Sequence, residues 1–73
     1  MTIIVNETET EVPEGSFISD LIRSLGLNPV RLAVELNRRI IRRSAWDSTS
    51  ISEGDRVEVV HFVGGGEGVK RDA

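Results

Sequence analysis

Apolar and polar positions alternate along this chain in short runs, interrupted once by a helical spacing. Ile3-Ile4-Val5 is a β-branched run close to the start and predicts a strand. Asn6-Glu7-Thr8-Glu9 supplies a hairpin turn, and Thr8 to Val12 returns as a polar, edge-like strand. Pro13 and Gly15 punctuate the chain. Ser16 then stands where a helix would be capped, its hydroxyl accepting an orphan backbone N–H of the first turn. Phe17, Ile18, Leu21, Ile22 and Leu25 recur at helical spacing and predict one amphipathic helix of about three turns. Asp20 near its start and Arg23 near its end suit the helix dipole. Gly26 is the expected stop, with Pro29 beyond it.

Strand spacing resumes at Leu32, Val34 and Leu36, which alternate with Ala33 and Glu35. Asn37-Arg38 is a second turn, and Ile40-Ile41 a short extended piece. Trp46 is the single tryptophan and is expected to close a small satellite cluster. Ser48 to Ser52 is a polar loop anchored by Ile51, and Glu53-Gly54-Asp55 turns into a last strand from Arg56 to Val63. One amphipathic helix has one sheet to cover, an α+β two-layer arrangement. In its hairpin-first form the last strand lies parallel to the first, in the middle of the sheet. The chain is expected to divide into a domain over residues 1–63 and a flexible glycine-rich tail over 64–73.

Size and composition narrow the function. A chain of 73 residues buries only about 60% of the surface it exposes when unfolded. That leaves little room for an enclosed catalytic site, so a binding or carrier module is expected rather than an enzyme. Cysteine is absent, which excludes a disulfide framework, a thiol nucleophile and a zinc–thiolate cluster. His61 is the only histidine, so no metal site is expected. Ser16 and Ser44 have no neighbouring base to activate them. Glu7, Glu9 and Glu11 alternate along one strand and form a solvated edge, not a general acid–base pair. No glycine loop for phosphate lies between a strand and a helix. The start carries no basic leader and no run long enough to span a bilayer, so a cytoplasmic protein away from membranes is expected. Net charge is −3, yet Arg31 to Arg43 holds five arginines against one acid. Those arginines either cover apolar surface with their aliphatic stems or form a charged docking patch.

The end of the last strand carries the most distinctive pattern. Val59-Val60-His61-Phe62-Val63 runs directly into Gly64-Gly65-Gly66. A segment without Cβ atoms can thread a narrow cleft in another protein; the alternative is an ordinary unstructured chain end. On the strand, Val57 and Val59 share one parity, Val60 and Phe62 the other. If the first pair faces the helix, Val60 and Phe62 lie on the open face, where Ile4 joins them as a partner-docking surface. Otherwise Phe62 folds back on the core edge.

With these pieces in hand, residues 1–66 resemble the ubiquitin-like sulfur carriers, most closely their thiamin-biosynthesis branch. The resemblance rests on Ile3-Ile4-Val5-Asn6, Ala33-Val34-Glu35-Leu36-Asn37 and Arg43 to Trp46, then Gly54-Asp55-Arg56-Val57-Glu58-Val59-Val60 and the stretch from Phe62 to Gly66. It implies a β-grasp fold, a mixed sheet of four to five strands covered by one main helix. It also implies that Gly66 bears the reactive carboxylate, with Gly64 and Gly65 threading it into place. A ubiquitin-activating-like adenylyltransferase would use ATP to adenylate Gly66, sulfur would replace oxygen to give a thiocarboxylate, and thiazole synthase would receive it. The chain itself would bind no cofactor. Residues 67–73 depart from the family pattern, because an internal Gly66 has a peptide bond and no free carboxylate. Either a processing protease removes them, or the chain is inactive as a carrier, or the seven residues are extraneous. Two other readings stay open. One is a carrier for molybdopterin or another pathway, although the proline-bearing segment usual before the molybdopterin glycines is here His61-Phe62-Val63. The other is a non-covalent β-grasp module of the kind joined to threonyl-tRNA synthetase, with Arg38, Arg39, Arg42 and Arg43 contacting RNA phosphates. The negative net charge and the lack of an aromatic pair for base stacking argue against nucleic acid.

Overall fold

Two hairpins of one design frame the sheet. The computed structural model describes residues 1–61. β1 (Thr2–Val5) and β2 (Thr8–Glu11) pair antiparallel with Val5 opposite Thr8, so only Asn6 and Glu7 form the loop. Thr8 and Glu9, included in the expected turn as well as in the expected strand from Thr8 to Val12, belong to β2. β3 (Leu32–Leu36) and β4 (Arg39–Ile41) repeat the plan with Asn37 and Arg38. All four loop residues have positive φ, between +48° and +72°. This is the type I′ turn, whose twist matches that of the strands it joins. Asparagine tolerates left-handed backbone better than other non-glycine residues, and it takes the first place in both loops.

β5 (Arg56–His61) enters between the hairpins. It runs parallel to β1, with Ile4 opposite Arg56, and antiparallel to β3, from Leu36 opposite Val57 to Leu32 opposite His61. The order β2-β1-β5-β3-β4 places the first and last strands side by side at the centre, as the hairpin-first arrangement requires. Strand alternation sends Ile3, Val5, Val34, Val57 and Val59 to one face, where all are buried. The helix α1 (Ile18–Ser24) covers that face with Ile18, Leu21 and Ile22. Burying each such side chain stabilises the fold by roughly 1.5–3 kcal/mol relative to leaving it exposed.

Several expectations need correction. The helix has seven residues, two turns rather than three. Phe17 and Leu25 are 38% and 39% exposed, so they sit at the margin of the apolar stripe and lie outside the core. Ser16 is not the N-cap; Phe17 is. The Ser16 hydroxyl donates to the Pro13 carbonyl at 2.6 Å, which leaves it pointing back into the preceding turn. Asp20 caps instead, its carboxylate accepting the Phe17 N–H at 2.8 Å. Backbone bonds from Ile18 N–H to Thr49 O (3.0 Å) and from Ile51 N–H to Ser16 O (2.9 Å) tie the helix entrance to the polar loop and draw Ile51 into the core. Gly26, at φ +69°, ends the helix, its N–H donating to Arg23 O at 3.1 Å. Trp46 joins the main core, not a satellite. It lies in a 3-10 helix, Arg43–Ser48, and its indole N–H donates to Ile41 O at 3.0 Å. A second 3-10 helix, Pro29–Arg31, is capped by Asn28, whose side chain accepts the Val30 N–H.

The expectations for Phe62, Val63 and the tail over 64–73 fall outside the described residues.

Candidate functional site

The face of the sheet opposite α1 is open. Ile4 and Val60 both lie on it, because their strand neighbours Ile3, Val5, Val57 and Val59 point to the helix. They do not adjoin. The register sets Ile4 level with Arg56, so Val60 is four residues further along β5, about 13 Å at the strand rise. Glu58 stands between them on the same face. Val60 is 54% exposed and sits opposite Ala33, whereas Ile4 is half-buried. Phe62, the third residue expected in this patch, and Gly64, Gly65 and Gly66 are outside the described residues.

Charge fills the middle of the open face. Glu7, Glu35, Arg38, Arg56 and Glu58 line a shallow recess there. Glu35 and Glu58 are directly opposed across β3 and β5, a pairing that repels. Arg56 reaches Glu7 at 3.3 Å with both side chains well exposed, so this ion pair contributes little to stability. Further out, Ile40 is 76% exposed on β4. It is flanked by Arg38, Arg39, Arg42 and Arg43, which form no salt bridge among the described residues. No group of three potential metal-ligating side chains occurs among the described residues. No helix there is long and apolar enough to cross a membrane.

The strand that leads to the glycines is held at both ends by asparagine side chains. Asn37 accepts the Arg56 N–H at 2.9 Å and donates to the Asp55 carboxylate at 3.0 Å. Its own N–H donates to Arg56 O at 2.7 Å. Asn6 accepts the Val59 N–H at 2.8 Å and donates to Val59 O at 3.2 Å. Sequence reasoning assigned both residues to turns only. Asparagine at the first place of a two-residue loop signals left-handed backbone, but the partner of Asn6 is 53 residues away, and no local pattern reveals it.

The family model described as the ThiS family matches residues 1–66 of this chain. A sulfur carrier protein ThiS of Bacillus subtilis is 39% identical over 49 residues, covering 67% of this chain and 74% of that protein. A thiazole synthase of Magnetococcus marinus is 34% identical over 67 residues; the match takes in 92% of this chain and 21% of the synthase. The chain thus spans about a fifth of that relative's length. The crystal structure of a thiamine biosynthesis protein (ThiS) from Geobacter metallireducens superposes with a TM-score of 0.80 at 33% identity, over 90% of this chain and 100% of that one.

Proposed function

The chain belongs to the ThiS family, and on that premise we propose that it is a sulfur carrier serving thiazole formation in thiamin biosynthesis. The observation that carries this reading is where the family match stops, at Gly66, the last of three consecutive glycines. In this reading Gly66 ends the working protein. A ubiquitin-activating-like adenylyltransferase joins its carboxylate to the AMP of ATP and releases pyrophosphate. Sulfide-level sulfur from a donor then attacks the acyl carbon, forming the C–S bond as the bond to AMP breaks, and leaves a thiocarboxylate. Gly64 and Gly65 offer no side chain to clash with the walls of a deep nucleotide site. The carrier supplies the carboxylate and an address, and ATP binds the partner. Thiazole synthase is the acceptor; a thiazole synthase chain containing a segment similar to this one supports that pairing.

Residues 67–73 must be removed first, because the Gly66 carbonyl is otherwise an amide. A processing protease acting after Gly66 does this. Intact mass of the protein recovered from its own host tests the whole reading. The expected species ends at Gly66, with a fraction heavier by one oxygen-to-sulfur exchange. An unmodified chain that still carries residues 67–73 would overturn it.

Val60, with Phe62, makes the apolar part of the surface that meets the activating enzyme, and Ile4 stands apart from it beyond Glu58. The exposure of Val60, four residues ahead of Gly64 in the sequence, supports this. Val60→Glu should weaken binding to that enzyme about tenfold and leave stability within about 0.5 kcal/mol. Titration calorimetry and urea unfolding would check both. Unchanged binding would remove Val60 from the surface.

A further inference from the structure

The tail and the open face leave two asparagines without a role beyond their turns. Asn6 and Asn37 hold the same place in two hairpins of one design. A type I′ turn needs left-handed backbone there, and glycine would satisfy it equally well. The carboxamides do something glycine would not.

β1 stops pairing with β5 early. Its main chain turns away once the Asn6 N–H has bonded Val57 O at 2.9 Å. A carboxamide has the donor and acceptor of a peptide group. Asn6 presents both to Val59, at 2.8 and 3.2 Å, and so adds one rung to the ladder where β1 has none left. Main-chain groups of a strand point alternately to its two neighbours. Arg56 bonds toward Asn37 on the β3 side, so Glu58 and Val60 also turn to β3, while Val57 and Val59 turn to β1. Val59 is therefore held from the β1 side by a side chain, seven residues ahead of Gly66.

We infer that Asn6 is a positioning residue for the tail: its carboxamide pins β5 at Val59 and fixes the point from which the chain runs on to Gly66. The consequence rests on the sulfur-carrier reading, in which the Gly66 carboxylate must be delivered to a nucleotide held by another protein. If β5 frays back past Val59, the origin of the tail retreats and its end samples a larger volume. The effective concentration of the carboxylate at its target then falls. Asn6 touches none of the reacting atoms.

Glycine substitution separates the two roles, since it keeps the turn and removes the carboxamide. Asn37→Gly is the matched control, with the same turn and a similar loss at the opposite end of β5. The first measurement uses the full chain alone: amide hydrogen exchange at Val60, whose N–H faces β3 and is not bonded to Asn6. Asn6→Gly should speed this exchange about tenfold, and Asn37→Gly should leave it within about twofold. The second uses the chain ending at Gly66 with its host's activating enzyme, followed by ATP–pyrophosphate exchange. Asn6→Gly should raise the KM for the carrier about tenfold with kcat little changed, and Asn37→Gly should shift neither beyond about twofold. Equal effects of the two variants on Val60 exchange would overturn the clamp. A clamp that is present, with equal KM in both variants, would overturn the positioning role. Absence of pyrophosphate exchange with the unsubstituted chain would strike the sulfur-carrier reading and the tail role with it, while Val60 exchange still decides whether Asn6 pins the strand.

Discussion

Asp20 shows how one side chain governs an element. Its carboxyl is held below the ordinary value of 3.8, first by accepting the Phe17 N–H and then by its hydrogen bond to Arg23. A carboxyl whose folded-state pKa is depressed contributes stability above the unfolded value, and loses it as pH falls through the folded value. The stability difference between the parent and Asp20→Asn should therefore stay level from neutral pH down to about pH 4 and shrink below that. Urea unfolding at stepped pH measures it, and a difference that is flat throughout would deny the carboxylate this role. Residue type and spacing point to Ser16 as the cap and to Asp20 only as a favourable charge for the helix dipole. The choice is made by the Pro13 turn, which brings a carbonyl within 2.6 Å of the Ser16 hydroxyl and turns it into a donor. That turn belongs to the folded backbone, so spacing along the chain does not reveal it.

The strands and hairpins follow from alternation because each strand has one buried face, and a slip of one residue would turn every side chain to the wrong side. The helix is harder to delimit. Phe17 and Leu25 extend the apolar spacing by a residue at each end, yet both remain more than a third exposed. Gly26 marks the true end. A Cβ added there would meet nothing within 4 Å, so Gly26→Ala should act through backbone strain alone. At φ +69° it should cost about 1–2 kcal/mol, read as a lower urea midpoint at unchanged m. A cost near zero would mean that the helix end relaxes into another conformation. The 3-10 helix around Trp46 escapes periodicity altogether, since its six residues are too few to present a repeating stripe. Only tertiary packing shows that the indole belongs to the main core.

Across the whole molecule, parity along β5 correctly places Val60 opposite the core, and Ile4 likewise on β1. Their separation by Glu58 depends on the parallel β1–β5 register, set by residues 52 apart such as Ile4 and Arg56, and one-dimensional spacing holds no record of it. The sheet also separates its charge, with Glu9 and Glu11 on the β2 edge and Arg39 on the β4 edge. Charged edges discourage other strands from adding there. The central seat of β5 bears on how the domain is made. The two hairpins and the helix leave the ribosome first, and each hairpin has a vacant flank until β5 arrives to fill both. Pairing strands from opposite ends of a chain is costly in loop-closure entropy and is rewarded only late. A nascent polypeptide therefore has no stable partial fold to rest in. One whose translation stops before β5 is left open to proteolysis, so the domain closes only once its last strand has been made.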